Sequence, residues 1–211
     1  MQNDILNHLK NTYHPDAIIL HGSRARGKEH LHSDWDFILL YRNPTDIKSG
    51  RILYENHNIE FSVHTFPVLD IFDTFNAKLQ GAKVLYERDN IGTNLLQQAA
   101  DYYAEGVHWP QEKMASHKLW MEGRINGMRD NVDNPMIFEK YYTDLYSRIF
   151  NYWYWLLQNR HSQPVYIANE EIAKVEPIYH QLVVDLIDPE SSLSQKVATA
   201  EKIQSLLFTT E

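Results

Sequence analysis

One stretch constrains what the rest of this chain can fold into: residues 16–41, DAIILHGSRARGKEHLHSDWDFILLY. Ala17 to Leu20 is a short apolar run that enters a Gly-Ser pair at Gly22-Ser23. Ten residues of basic and polar character follow Ser23, and then Asp34 and Asp36 open a second apolar run, Phe37 to Tyr41. Both runs have strand length and are bounded by turn-forming residues. The predicted order is strand, tight turn, loop, Asp-x-Asp, strand.

The chemistry of this spacing is specific. Successive side chains on a strand point to opposite faces, so Asp34 and Asp36 project together and Trp35 turns away. Two carboxylates held so close repel, and a hard divalent cation relieves the repulsion; Mg²⁺ typically sits between one or two carboxylates and substrate phosphates. Gly22 lets a phosphate approach the backbone, and Ser23 offers a hydroxyl and an N–H. A short helix starting near Ser23 would aim free N–H groups at the same phosphate. Arg24, Arg26 and Lys28 add positive charge nearby. The stretch reads as a site for a nucleoside triphosphate and a divalent metal.

The segment HGSRARGKEHLHSDWDF resembles the signature of the polymerase-β-like nucleotidyltransferase superfamily, Gly-Ser, a spacer, then Asp-x-Asp. It is most similar to the small bacterial "minimal" and kanamycin-nucleotidyltransferase-like members, whose signature often reads GSRARG…SD-x-D. The motif spans Gly22 to Asp36. The resemblance implies Mg²⁺-dependent transfer of a nucleoside monophosphate, AMP from ATP before other nucleotides, onto an acceptor hydroxyl with release of pyrophosphate. It implies that Asp34 and Asp36 hold two Mg²⁺ ions and that Gly22 and Ser23 grip the triphosphate with help from Arg24 or Arg26. A third carboxylate is expected from the strand after the Asp-x-Asp hairpin, sharing a metal and accepting the acceptor's proton. Ile59 to Phe66 alternates cleanly, with Ile59, Phe61 and Val63 on one face and Glu60, Ser62 and His64 on the other. Glu60 matches the family position, where Asp is commoner.

The rest of the chain predicts two domains in an α+β arrangement. Residues 1–105 are expected to form the nucleotidyltransferase domain, a small mixed sheet flanked by helices, and residues 106–211 an all-α bundle. Ile5, Leu6 and Leu9 predict an amphipathic first helix ending before Pro15. Arg51–Glu55 predicts a short strand, His57-Asn58 a turn, and Val68–Leu79 a helix with Ile71, Phe72, Phe75 and Leu79 inward. Lys83–Tyr86 predicts a strand, and Thr93 the N-cap of a helix. Beyond residue 105 the pattern is helical throughout: Pro110 to about Asp130, Met136 to about Arg160, 168–187 and 191–208. The long helix is rich in aromatics, with Tyr142, Tyr146, Ile149, Trp153 and Leu157 on one stripe. They suit bundle core, and those on a second face suit an acceptor pocket or a homodimer contact.

Composition narrows the partners. Net charge is −8, against the basic balance usual for proteins that grip long nucleic acid. It suits a cationic acceptor, and the two-domain layout resembling the kanamycin-modifying enzymes implies an aminoglycoside-like antibiotic; a protein hydroxyl is the alternative acceptor, and a non-catalytic nucleotide-binding interaction module the alternative role. Cysteine is absent, no apolar run has membrane-spanning length, and the start MQNDILNHLK lacks signal-peptide character, which together predict a cytoplasmic protein. The helical half lacks the Arg-x(4–6)-His signature of the RNase toxins that accompany minimal nucleotidyltransferases. The histidines form no His-x-x-x-His or His-Glu-x-x-His zinc pattern.

Overall fold

A computed structural model of the chain describes residues 1–67 and 79–208. These fall into two compact units, Met1–Glu105 and Gly106–Glu211. The first is a mixed α/β layer structure and the second is helical. The helix expected over 68–79 lies, apart from Leu79, outside the described residues.

In the first unit, α1 (Gln2–Tyr13) ends at His14, whose left-handed backbone directs its N–H to the Lys10 carbonyl, immediately before Pro15. Strand β1 (Ala17–His21) leads into the short helix α2 (Gly22–Arg26). Strands β2 (Trp35–Tyr41), β3 (Gly50–Tyr54), β4 (His57–Thr65) and β5 (Lys83–Glu87) follow, then α3 (Ile91–Glu105). The sheet order is β3-β4-β2-β1-β5, with β2 parallel to β4 and the other neighbours antiparallel. Strands β1 and β2 are inner strands covered on both faces, which is why they read as continuous apolar runs. One face carries Ile18, Leu20, Phe37, Leu39, Ile59 and Phe61 against Ile5 and Leu9 of α1. The opposite face carries Ala17, Ile19, Ile38 and Leu40 with Ile91, Leu95 and Ala99 of α3.

Two local readings change. The β3–β4 turn is Glu55-Asn56, both with positive φ, rather than His57-Asn58. Two central residues with positive φ are what a tight type I′ hairpin requires, and Asn tolerates that region. Thr93 is the third residue of α3 rather than its N-cap. Its N–H and hydroxyl both donate to the Glu87 carboxylate, at 3.0 and 2.6 Å, so Glu87 supplies the capping acceptor from the end of β5. These two bonds hold the Glu87 carboxyl below its ordinary pKa.

The second unit contains α4 (Gln111–Arg129), α5 (Pro135–Tyr152), a π-turn (Trp153–Leu157), α6 (Val165–Val175), α7 (Pro177–Ile187) and α8 (Leu193–Phe208). Asn134 caps α5 by accepting from the Ile137 N–H, with Pro135 in the first turn. The helix expected over 168–187 is two helices, because Pro177 cannot donate into a continuing ladder and clashes with the preceding turn. The aromatic stripe is core, but more of it is buried than a 3.6-residue period allows. Tyr152, Trp153 and Tyr154 are consecutive and all fully buried. The π-turn begins at Trp153, within this run of buried rings.

The π-turn is tied down by a charged network. Tyr154 donates to Glu171 at 2.6 Å and Arg160 donates to the same carboxylate at 2.5 Å. Burial pushes the Glu171 carboxyl up, but the Tyr154 and Arg160 bonds and the Arg160 charge outweigh it and hold it below its ordinary value. A depressed folded-state pKa contributes stability that is fully present above the unfolded value and is lost as pH falls through the folded one. Glu171→Gln is therefore expected to cost the helical unit about 1–2 kcal/mol at pH 7. It is also expected to flatten the loss of stability below about pH 4.5. Urea denaturation at several pH values, followed by helical circular dichroism, measures both; an unchanged acid limb would show that the network contributes nothing.

Candidate functional site

The Asp-x-Asp segment sits where β2 begins. Trp35 is buried among the residues that face α1, while Asp34 and Asp36 are half-buried and Asp36 shares the parity of Ile38 and Leu40 on the opposite face. In register, Asp36 is the partner of Glu60 on the parallel strand β4. Directly paired residues on neighbouring strands project to the same side. The sheet thus brings Asp36 and Glu60 side by side on the face that Asp34 approaches from the start of the strand. Glu60 in turn pairs with Arg51 on β3, and Asp36 pairs with His21 on β1. One row therefore crosses four strands: Arg51, Glu60, Asp36, His21. Asp34, Arg51, Asn58 and Glu60 line a shallow cavity of about 290 Å³ beside it, with Ile52, Leu53 and Ile59.

Gly22 is the residue that makes room. Its φ is +75°, and a Cβ placed there would lie 2.2 Å from Oδ2 of Asp36. Only glycine both adopts that backbone and lets the carboxylate settle against it. Gly22→Ala is expected to displace the Asp36 carboxylate and reduce nucleotidyl transfer on the order of a hundredfold. Stability should fall by only about 1 kcal/mol. Steady-state turnover beside a thermal melt separates the two effects, and activity within twofold of wild type would refute the cradle.

Ser23 follows in the first turn of α2, half-buried. The two arginines read from the sequence as phosphate contacts carry backbone bonds. Arg24 donates through Nε to the carbonyls of Ser33 and Asp34, both at 3.1 Å, and through Nη2 to Ser33 at 2.6 Å. Its guanidinium lies 4.4 Å over the Trp35 ring. It fixes the end of the loop that presents Asp34. Arg26 donates to the Gln80 carbonyl at 3.0 Å, and its stem packs on Gly81. His30 and His32 are exposed on the loop.

The donor chemistry fits a divalent cation: three carboxylates, all hard oxygen ligands, from one end of two adjacent strands. Among the described residues, however, no three His, Cys, Asp or Glu side chains converge closely enough to hold an ion as they stand. Glu60 is engaged with Arg51 instead, its Oε2 accepting from Arg51 Nε at 2.8 Å and Nη2 at 2.6 Å. The pattern Asp34, Asp36 and Glu60 was legible in the sequence, but Arg51 was not. The signal that could have exposed Arg51 is the hairpin turn, since Glu55-Asn56 fixes Arg51 opposite Glu60.

A chain with this sheet, a Gly-Ser turn and an Asp-x-Asp strand has the class features of a nucleotide-handling domain. Residues 3–91 match the family model described as Polymerase beta, Nucleotidyltransferase. The match supports a nucleotidyltransferase domain of the polymerase-β-like superfamily in this part of the chain. The fold is similar to the crystal structure of a nucleotidyltransferase-like protein from Exiguobacterium sibiricum 255-15, with a TM-score of 0.54 and 14% identity. That similarity covers 99% of this chain and 75% of the other. No curated protein sequence matches significantly. No helix among the described residues is long and apolar enough to cross a membrane.

Proposed function

We propose that the protein is a Mg²⁺-dependent nucleotidyltransferase that moves AMP from ATP onto a hydroxyl of a small, cationic acceptor of the aminoglycoside type. The observation that carries the reading is the Asp36–Glu60 pair, in register on two parallel strands, with the Asp36 carboxylate settled against Gly22. Asp34, Asp36 and Glu60 would hold the cation, which when bound neutralises the triphosphate and the charge gathering on the departing pyrophosphate. Gly22 leaves the backbone open to a phosphate, and the Ser23 hydroxyl donates to it. Arg24 keeps Asp34 in place through the loop carbonyls. The acceptor oxygen attacks the α-phosphorus as the bond to pyrophosphate breaks, and Glu60 takes the proton the acceptor loses. The net charge of −8 suits a cationic acceptor.

A second reading, a nucleotide-binding interaction module without turnover, draws on the Arg51–Glu60 pairing. One assay decides between them. Protein, Mg²⁺ and α-labelled ATP are incubated with an aminoglycoside panel and, separately, with a desalted cell lysate. Label on a drug supports the small-molecule acceptor. Label on one lysate protein moves the acceptor to a protein hydroxyl. Silence with ATP, GTP, CTP and UTP alike, alongside measurable nucleotide binding, favours the module.

A further inference from the structure

We infer that Arg51 is a built-in counter-ion of this site, holding Glu60 until a divalent cation arrives and then turning to the phosphate that arrives with it. The inference rests on the nucleotidyltransferase reading and adds to it a residue outside the Gly22-to-Asp36 motif. The two central carboxylates of the row are adjacent, and like charges that close must be neutralised. Arg51 does so from the sheet's edge, with a two-pronged grip on one oxygen of Glu60. The same carboxylate is the third ligand that an ion between Asp34, Asp36 and Glu60 requires. The ion and Arg51 therefore compete for it.

The competition is winnable because the pair is exposed. The Arg51 side chain is 76% exposed and that of Glu60 42%, so water and salt screen the bond and little is lost on opening it. Once released, the guanidinium lines the same cavity as Asp34, where a triphosphate bound to the ion would lie. A planar fork of donors pairs well with phosphate oxygens. Arg51 would then oppose the bare ion but favour the ion–nucleotide complex. The site would assemble for the nucleotide and not for the metal alone.

This gives opposite signs in two binding measurements. Mn²⁺ alone, followed by electron paramagnetic resonance, is expected to bind Arg51→Ala about fivefold tighter than wild type. A non-hydrolysable ATP analogue with saturating Mg²⁺, followed by calorimetry, is expected to bind the same variant about fivefold weaker. Arg51→Lys, which keeps the charge and loses the fork, should fall between in both. Effects of one sign in both titrations, or no effect in either, would overturn the role, since a merely structural residue moves them together or not at all. Asp36→Asn serves as the separate control on the site itself. If it binds Mn²⁺ and the Mg²⁺–analogue complex like wild type, the metal-site reading fails and the Arg51 inference with it. If Asp36→Asn loses both and Arg51→Ala moves neither, the site stands and only the Arg51 inference falls.

Discussion

Asp36→Asn is expected to lower nucleotidyl transfer on the order of a thousandfold, about 4 kcal/mol of transition-state stabilisation, with the fold retained. Asp36 occupies the centre of the cross-strand row, between His21 and Glu60, and its carboxylate rests where any side chain at position 22 would stand. Asparagine preserves the shape and removes the charge that, in the proposed function, would hold a cation. The variant also removes one of two neighbouring negative charges, so its stability should equal or slightly exceed that of wild type. Turnover with the acceptor identified by labelling, read beside a thermal melt, checks both parts. A well-folded Asp36→Asn protein with normal turnover would end the assignment of this site.

Trp153→Ala is expected to produce the largest loss of stability, about 3–5 kcal/mol from the helical unit. Trp153 is completely buried, packs edge-on against Tyr154 at 4.8 Å between ring centres, and begins the π-turn. Truncation leaves a cavity in the buried cluster that Trp153 shares with Tyr152 and Tyr154. A loss of this size lowers the melting temperature of a unit this large by roughly 15 °C or more. Trp153→Phe should cost far less, because the indole N–H has no hydrogen-bond partner among the described residues and its removal strands no acceptor. Equal losses in the two variants, measured by urea denaturation, would show that ring volume is not what matters there.

The parts of the fold that were legible in the sequence are those governed by local pattern. The apolar runs of β1 and β2 were legible because those strands are covered on both faces, and the alternation of β4 because that strand buries Ile59 and Phe61 on one face only. That same alternation put Glu60 on the polar face of its strand, and Asp-x-Asp spacing put Asp34 and Asp36 on one side. What escaped depended on register or on departures from regular geometry. Glu-Asn is a weak turn signal, so the hairpin was placed two residues late and Arg51 was not set against Glu60. A regular helical period placed Tyr142 and Tyr146 on the inward stripe, whereas Tyr152 at the end of α5 and Tyr154 in the π-turn are buried more deeply. Arg24 read as a phosphate contact because charge near a Gly-Ser turn suggests one. Its bonds to the carbonyls of Ser33 and Asp34 depend on a loop path that composition does not encode.

The order of the strands has a consequence for how such a protein can change over generations. Asp36 belongs to β2, an interior strand packed on both faces, with Asp34 just before it, and Gly22 is wedged against Asp36. Alterations there act on the carboxylate row directly: a side chain at position 22 displaces Asp36, and asparagine at 36 removes its charge. Arg51 belongs to β3, which has a neighbour on one side only and leaves its side chain in water. Substitutions at that rim are inexpensive to the fold, yet they reach the carboxylate row through Glu60. The geometry therefore separates two tiers: interior positions where a change bears directly on the carboxylate row, and one peripheral position, Arg51, from which the row is reached only through Glu60.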